Sequence, residues 1–181
     1  MRIHSFDRIN EIAYSYLPNG EHTNAPIDIE SIILGLGVRI REDSSLNNGI
    51  IGKITFEGEV PVISINPKEN TYNSRRRFTL AHELGHYVLH SKESKREFID
   101  MSETMFRSEG SNDFEVEANH FAASILMPEG ILITEALSIV EDFRKSGGFT
   151  QDEFIRKLAL KFHVSIQSMK YRLINLDILE D

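Results

Sequence analysis

The segment His82-Glu83-Leu84-Gly85-His86 constrains this chain more than any other feature of its sequence. Apolar residues recur around it at intervals of three and four, which predicts a helix over RRRFTLAHELGHYVLH. In a helix, side chains four positions apart lie on one face, so both imidazoles can reach one ion. Glu83 then lies beside that ion without being required as a ligand. The pattern is the HExxH arrangement, in which two histidines bind zinc and the glutamate is a general base.

A metal site of this kind needs a third ligand, and a catalytic zinc ion keeps its fourth position open. The chain has no cysteine, so thiolate ligands and disulfide bonds are excluded, and the third ligand is a carboxylate or a histidine. The segment FEVEANHFAASILM (114–127) predicts a second helix, on which Glu115, Ala118, Asn119 and Ala122 share one face. Glu115 is therefore the first candidate for the third ligand.

Two other residues are alternatives for the third ligand. Glu117 is close to Glu115 in sequence but lies on a different face of the predicted helix. His90 follows His86 by one helical turn, where we expect it to support a ligand or to cap the helix end. Asn119 follows Glu115 by one turn and is placed to hydrogen-bond a ligand.

Small residues on both predicted helices indicate that the helices pack closely. Gly85 lies on one of them, and Ala118 and Ala122 lie on the other. A glycine inside a helix costs about 0.5–1 kcal/mol relative to alanine. Close approach of the second helix, or the geometry of the metal site, would explain why Gly85 is there.

The remaining chain predicts a protein that mixes helices and strands. Periodicity predicts helices at 5–17, 26–37 and 129–147 and strands at 38–42, 50–56 and 60–65. Glu57-Gly58-Glu59 separates the last two strands, so we expect a β-hairpin. Pro61 places the beginning of the second of these strands at a sheet edge or at a strand start. Pro26 is expected in the first turn of its helix, and the polar segment 91–113 predicts a loop, with or without short structure inside it.

Residues 149–181 predict a helical extension that resembles a helix-turn-helix. Thr150 and Glu153 have the spacing of a capping box at the start of its first helix. Ser165 is the expected N-cap of its second helix. We therefore divide the chain into a domain of residues 1–148 and an extension of residues 149–181.

The blocks RFTLAHELGHYVLH and EVEANHFAASILMP resemble the signature blocks of the ImmA/IrrE metallopeptidases. The resemblance extends to NNGIIGKITF, VPVISINP and LALKFHVSIQSMKYRLINL, and so covers most of the chain. It implies an α+β zincin-like fold, in which a small antiparallel or mixed sheet packs on helices. It also implies a Zn2+ ion bound by His82, His86 and Glu115, with Glu83 as the catalytic base. Mn2+ is an alternative, because histidine and carboxylate ligands accept both ions.

The resemblance further implies an endopeptidase that cleaves a repressor protein carrying a helix-turn-helix domain and thereby induces repressed genes. The alternative is a non-catalytic regulator that binds a repressor or DNA through the C-terminal helices. Gln167, Lys170 and Arg172 are the candidates for base contacts in that case. The formal net charge of -8 argues against direct DNA binding, because phosphate contacts need clustered Lys and Arg.

A peptidase also needs a donor that stabilises the oxyanion. Tyr87, His90, His120 and Arg77 are the candidates, and the sequence does not choose among them. We interpret the arginine run 75–77 as a solvated helix face and not as a site for acidic substrates.

The segment MRIHSFDRINEIAYSYLPNG carries charges throughout and lacks the apolar core of a signal peptide. No stretch approaches the roughly 18 apolar residues that a membrane-spanning helix needs. We therefore expect a cytoplasmic protein that does not associate with membranes.

Overall fold

The computed structural model describes residues 4–18, 24–90, 98–101, 113–145 and 147–180, with the backbone alone described for 98–101. Within these residues it contains seven helices and four strands. In chain order they are α1 (Phe6–Ser15), α2 (Ile29–Gly35), β1 (Arg39–Glu42), β2 (Ile50–Glu57), β3 (Val60–Ile65), α3 (Asn73–His90), β4 (Phe98–Met101), α4 (Asp113–Leu126), α5 (Glu129–Lys145), α6 (Gln151–Phe162) and α7 (Ile166–Asn175).

The strands form one mixed sheet in the order β1-β3-β2-β4. β3 pairs in parallel with β1 and antiparallel with β2, and β2 pairs antiparallel with β4. The antiparallel β2–β3 pair, in which Glu57 is opposite Val60, confirms the predicted hairpin. Pro61 is opposite Phe56, while the ladder with β1 begins at Val62. The proline thus lies at the start of β3, before this strand is flanked on both sides, as the sequence predicts.

Strand β4 (Phe98–Met101) is a short element within the segment 91–113, for which the sequence predicts a loop with room for short structure but no particular strand. The rest of 91–112 lies outside the described residues. Four residues are too few for alternation to identify a strand, and β4 is defined by its pairing with β2, in which Phe98 is opposite Ile54. Because β4 flanks β2, the edge of the sheet on this side is β4 and not the hairpin.

Helix α3 is packed between the sheet and α4. It contacts β2 and β3 on one side and α4 on the other, and α4 also contacts α1. The buried contact includes Leu80 and Leu84 of α3, Phe121 and Ile125 of α4 and Ile54 of β2. No single helix in the described residues is long and apolar enough to cross a membrane, and α4 with α5 meets that criterion only as a pair bent by 52°.

Helix α2 begins later than the sequence predicts. Asp28 is its N-cap, and the carboxylate of Asp28 accepts a hydrogen bond of 3.1 Å from the backbone N–H of Ser31. The prediction that Pro26 lies in the first turn is wrong, because the capping carboxylate starts the helix at Ile29.

The ends of the C-terminal helices agree with the sequence. Thr150 and Glu153 form the predicted capping box of α6, and Ser165 caps α7 by accepting a hydrogen bond from the backbone N–H of Ser168. The boundary between residues 1–148 and 149–181 stays a prediction. Apolar residues of α6 and α7 belong to the same buried cluster as those of α1 to α5.

Arg172 of α7 is buried and makes contacts inside the protein. Its Nε donates to the carbonyl oxygen of Met127 at 3.1 Å, and its Nη2 donates to the hydroxyl of Tyr14 at 3.0 Å. The guanidinium therefore joins α7 to α1 and to the residue that follows α4. The prediction that Arg172 contacts bases is wrong for this reason.

Candidate metal centre

Three side chains from two helices converge on one point. The Nε2 atoms of His82 and His86 lie 3.0 Å apart. One carboxylate oxygen of Glu115 lies 3.2 Å from Nε2 of His82, and the other lies 3.3 Å from Nε2 of His86. Both imidazoles are buried, whereas the Glu115 side chain is 15% exposed. These three groups could together hold a metal ion.

The spacing of the donor atoms fits a zinc ion. A tetrahedral ion with ligand distances of about 2.0–2.1 Å separates its ligand atoms by roughly 3.3 Å. The two Nε2 atoms are 3.0 Å apart, and each lies 3.2 or 3.3 Å from its nearer oxygen of Glu115. These three separations are close to the value for a tetrahedral ion. Two imidazoles and one carboxylate are also the donor set of catalytic zinc sites that keep a fourth position open.

Gly85 sets the distance between the helices that carry the three groups. A Cβ atom on Gly85 would lie 3.2 Å from the Cα atom and the carbonyl oxygen of Ala118, and 3.2 Å from Cδ1 of Phe121. This contact confirms the expectation that small residues allow α4 to approach α3. Because Glu115 lies in the first turn of α4, the position of its carboxylate depends on this approach.

Glu83 is fully buried and lies against strand β2. A Cβ atom on Gly52 would fall 2.8 Å from Oε1 of Glu83 and 2.8 Å from Cγ2 of Thr79, so a glycine is required there. Thr79 donates a hydrogen bond of 2.7 Å to Asn70, which donates one of 2.8 Å to the carbonyl oxygen of Ile51. These contacts tie α3 to β2 beside Glu83. These contacts were not predicted from the sequence, in which the glycine inside a strand was the available signal.

Asn119 supports His82, as the helical spacing predicts. Its side-chain oxygen lies 3.0 Å from Nδ1 of His82. Because an amide oxygen only accepts, Nδ1 carries the proton and Nε2 presents its lone pair to the cluster.

The charge states of His86 and Glu115 suit metal binding. Burial lowers the pKa of His86 to about 4, although the neighbouring Glu115 acts to raise it. The imidazole is therefore neutral near pH 7, which is the form that binds metals. Burial alone would raise the pKa of the Glu115 carboxyl, but its interactions with His82 and His86 outweigh this and hold the pKa below its ordinary value. The carboxylate is therefore ionised.

Glu117 and His90 lie beside the three converging groups and are not among them. His90 lies behind His86, with their Nδ1 atoms 3.2 Å apart. Nε2 of His90 lies 3.3 Å from Oε2 of Glu117, and both side chains are fully buried. The structure therefore brings Glu115 to the histidine pair and directs Glu117 to His90.

Three of the four candidate oxyanion donors make contacts elsewhere, and one of these three is His90, which is buried against Glu117. Nε2 of His120 lies 2.9 Å from Oδ1 of Asn10 in α1. The guanidinium of Arg77 donates to the carbonyl oxygen of Ile27 at 2.7 Å and is buried. The interpretation of the arginine run as a solvated face is therefore wrong for Arg77. Tyr87 is partly buried in α3 and stays a candidate.

Comparison with known proteins gives a family and a fold. The sequence model of the IrrE N-terminal-like domain, which carries the name of a peptidase family, matches residues 35–174. No curated protein matches the sequence significantly. Among solved structures, a Mycobacterium tuberculosis transcriptional regulator is similar, with a TM-score of 0.55 and 18% identity. The similarity covers 95% of this chain and 47% of the regulator, so the chain spans about half of the regulator's length.

Proposed function

Because the chain belongs to the IrrE N-terminal-like domain family, we propose that it is a zinc-dependent endopeptidase. The observation that carries the proposal is the convergence of His82, His86 and Glu115, whose donor atoms are separated by 3.0–3.3 Å. Glu83 follows the first of these residues directly and is buried beside them. Two histidines, a downstream glutamate and an adjacent glutamate are the set that HExxH metallopeptidases use.

The proposal includes a zincin-like arrangement of the gluzincin type. Helix α3 carries two ligands and the base, helix α4 carries the third ligand, and the sheet lies against α3. We assign the activity to the predicted domain of residues 1–148. Residues 149–181 are then a helix-turn-helix-like extension, which Arg172 holds against this domain.

When bound, a zinc ion would polarise the scissile carbonyl and activate water near neutral pH, and Mn2+ could serve in its place. The chain's own residues supply the ligands and the proton transfer. Glu83 would accept a proton from the attacking water and donate it to the leaving amine. The absence of a side chain at Gly52 leaves room for this carboxylate beside β2.

As substrate we propose a transcriptional repressor with a helix-turn-helix domain, whose cleavage would induce the genes it represses. The family resemblance supports this substrate, and we propose that the reaction takes place in the cytoplasm. An extended segment of the repressor would pair with β4, because β4 is the sheet edge beside β2, and Gly52 of β2 contacts Glu83. Both strands of the β2–β3 hairpin are flanked by other strands, so the hairpin itself offers no free edge for this pairing.

The replacement Glu83→Gln tests the proposed reaction. It keeps the shape of the side chain and removes the base, so zinc should remain bound while cleavage falls by about 10²–10⁴-fold. The measurement is cleavage of a purified helix-turn-helix repressor encoded beside this protein, together with the zinc content. Glu59→Gln in the exposed β2–β3 turn is the matched control and should cleave normally. Cleavage by Glu83→Gln at the wild-type rate would contradict the mechanism.

The same experiment distinguishes the proposed peptidase from the alternative, a non-catalytic regulator. Such a protein would relieve repression equally well with glutamine at position 83, without cutting the repressor. The buried Arg172 already argues against base contacts by that residue.

A further inference from the structure

A buried chain of hydrogen-bonding groups runs from His86 away from the metal centre. Nδ1 of His86 lies 3.2 Å from Nδ1 of His90, and Nε2 of His90 lies 3.3 Å from Oε2 of Glu117. The other oxygen of Glu117 accepts a hydrogen bond of 3.1 Å from the backbone N–H of His4. His90 and Glu117 are 0% exposed, so groups inside the protein determine how these two side chains are oriented.

The chemistry of the groups gives the hydrogen bonds of this chain a direction. The carboxylate of Glu117 only accepts, so Nε2 of His90 carries a proton and donates it. The neutral imidazole of His90 then accepts at Nδ1, and the donor to it is Nδ1–H of His86. In this direction the lone pair of His86 is on Nε2, which is the atom that faces His82 and Glu115. The opposite direction would put a proton on that atom and prevent metal binding.

We propose that His90 and Glu117 are positioning residues that hold His86 in the tautomer and orientation needed to bind the metal. The proposal rests on the proposed function, because it assigns a metal to His86. Both histidine ligands then have a partner for Nδ1, since Asn119 has the same role for His82. The ring of Phe114 packs edge-on against His90 at a centroid distance of 4.8 Å and restricts its orientation.

The two proposed positioning residues belong to different helices. His90 is the last residue of α3, whereas Glu117 lies in the first half of α4, close to the ligand Glu115. Helix α4 therefore supplies one ligand directly and supports a second ligand on α3 through His90. A displacement of α4 would disturb both contributions together.

Zinc affinity is the first test. His90→Phe keeps an aromatic ring but removes both nitrogens, and Glu117→Gln leaves one acceptor where His90 and the backbone of His4 both donate. Each replacement should raise the Kd for zinc by about 10–100-fold. Ser124→Ala is the matched control. It removes a part-buried hydrogen bond of 2.7 Å from α4 to Asn10, which is not one of the hydrogen bonds that link His86, His90 and Glu117. Its Kd should stay at the wild-type value.

The tautomer of His86 is the second test, measured by 15N NMR on the metal-free proteins. In the wild type and in Ser124→Ala, the proton should be on Nδ1. In His90→Phe this preference should be lost. A merely structural role for His90 would reduce stability without changing the tautomer.

An unchanged tautomer together with an unchanged Kd in His90→Phe and Glu117→Gln would overturn the proposal. A wild-type protein that binds no zinc would instead contradict the proposed function. The NMR measurement on the metal-free protein decides the role of His90 in that case as well.

Discussion

At the scale of single residues, the metal centre depends on where the protons of the imidazoles lie. Asn119 accepts from Nδ1 of His82, so the Nε2 atom of that residue is left as a donor to a metal. His86 is neutral near pH 7, because burial lowers its pKa to about 4. A metal ion entering the site near pH 7 therefore meets a neutral imidazole at His86.

Glu83, the proposed base, gives a prediction at the same scale. In Gly52→Ala, the new Cβ atom would come within 2.8 Å of Oε1 of Glu83 and of Cγ2 of Thr79, so the carboxylate must move. A displacement of this size should lower kcat/KM by about 10²-fold. Zinc affinity should change little, because the three ligands are not in this contact. Steady-state cleavage and a zinc titration measure the two effects.

The control for this replacement is Gly130→Ala, at a position where a Cβ atom would meet nothing within 4 Å. We expect it to cleave like the wild type. Normal cleavage by Gly52→Ala would show that the contact with Glu83 does not determine the position of the base.

The residues of the centre differ in how far the sequence predicted them. The proximity of His82 and His86 follows from helical spacing alone. Glu115 was a candidate because of its position on one face of the predicted helix, and in the structure it lies beside the two histidines. The contact of Gly52 with Glu83 depends on how β2 packs against α3, which is a long-range property that no local pattern encodes.

At the scale of secondary-structure elements, the contact between α3 and α4 determines the geometry of the centre. Two of the three proposed ligands lie on one helix and the third lies on the other, so the helix separation sets the distance between these groups. Gly85 and Ala118 keep the two backbones close at this point. The helix pair therefore works as one rigid support for the three groups.

Replacing Gly85 by alanine tests this contact. Alanine favours a helix by about 1 kcal/mol over glycine, but its Cβ atom would lie 3.2 Å from the backbone of Ala118. Moving a packed helix costs typically 1–3 kcal/mol, so we expect a net loss of stability of about 1 kcal/mol. The shift of α4 should also displace Glu115 and weaken zinc binding. Urea denaturation of the metal-free protein and a zinc titration measure these two effects.

Gly130→Ala again provides the comparison, because this glycine lies in α5 with free space around it. That replacement should leave the free energy of unfolding unchanged or raise it. If Gly85→Ala behaves in the same way and binds zinc normally, close packing at Gly85 is not what positions Glu115.

Local patterns predicted the elements well where the elements are long. The helix over HELGH and the helix that carries Glu115 have several turns, so their apolar periodicity is clear. Strand β4 has four residues in a polar segment, and it is formed by pairing with β2. The start of α2 was misplaced because the capping side chain of Asp28 determined it instead of Pro26.

At the scale of the whole molecule, the C-terminal helices are part of the packing of the protein. Arg172 of α7 donates to Met127 and Tyr14, which belong to the region of α4 and to α1. The sequence predicted the two helices from their caps and apolar spacing. It could not predict the role of the arginine, because its partners are distant in the chain and exposure cannot be read from residue type.

The replacement Arg172→Met tests this attachment. Methionine retains an apolar chain of similar length but leaves the carbonyl of Met127 and the hydroxyl of Tyr14 without this donor. Hydrogen bonds to charged groups contribute about 1.5–3 kcal/mol each, so losing both costs about 3–6 kcal/mol. Removing a buried charge offsets part of this cost, so we expect a net loss of about 2–3 kcal/mol in the free energy of unfolding. Urea denaturation is the measurement. Lys170→Met, at an exposed position of the same helix, should change stability by less than about 0.5 kcal/mol. Equal stabilities of the two variants would show that Arg172 does not hold the helices together.

Calorimetric titration of the metal-free protein with Zn2+ tests the metal centre most directly. We predict that each chain binds a single ion through His82, His86 and Glu115. His82→Ala and Glu115→Ala should each lower the affinity by more than about 100-fold, because they remove a ligand, whereas Glu83→Gln should bind zinc like the wild type. A wild-type protein without affinity for zinc, or a Glu115→Ala variant that binds zinc as tightly as the wild type, would contradict this assignment.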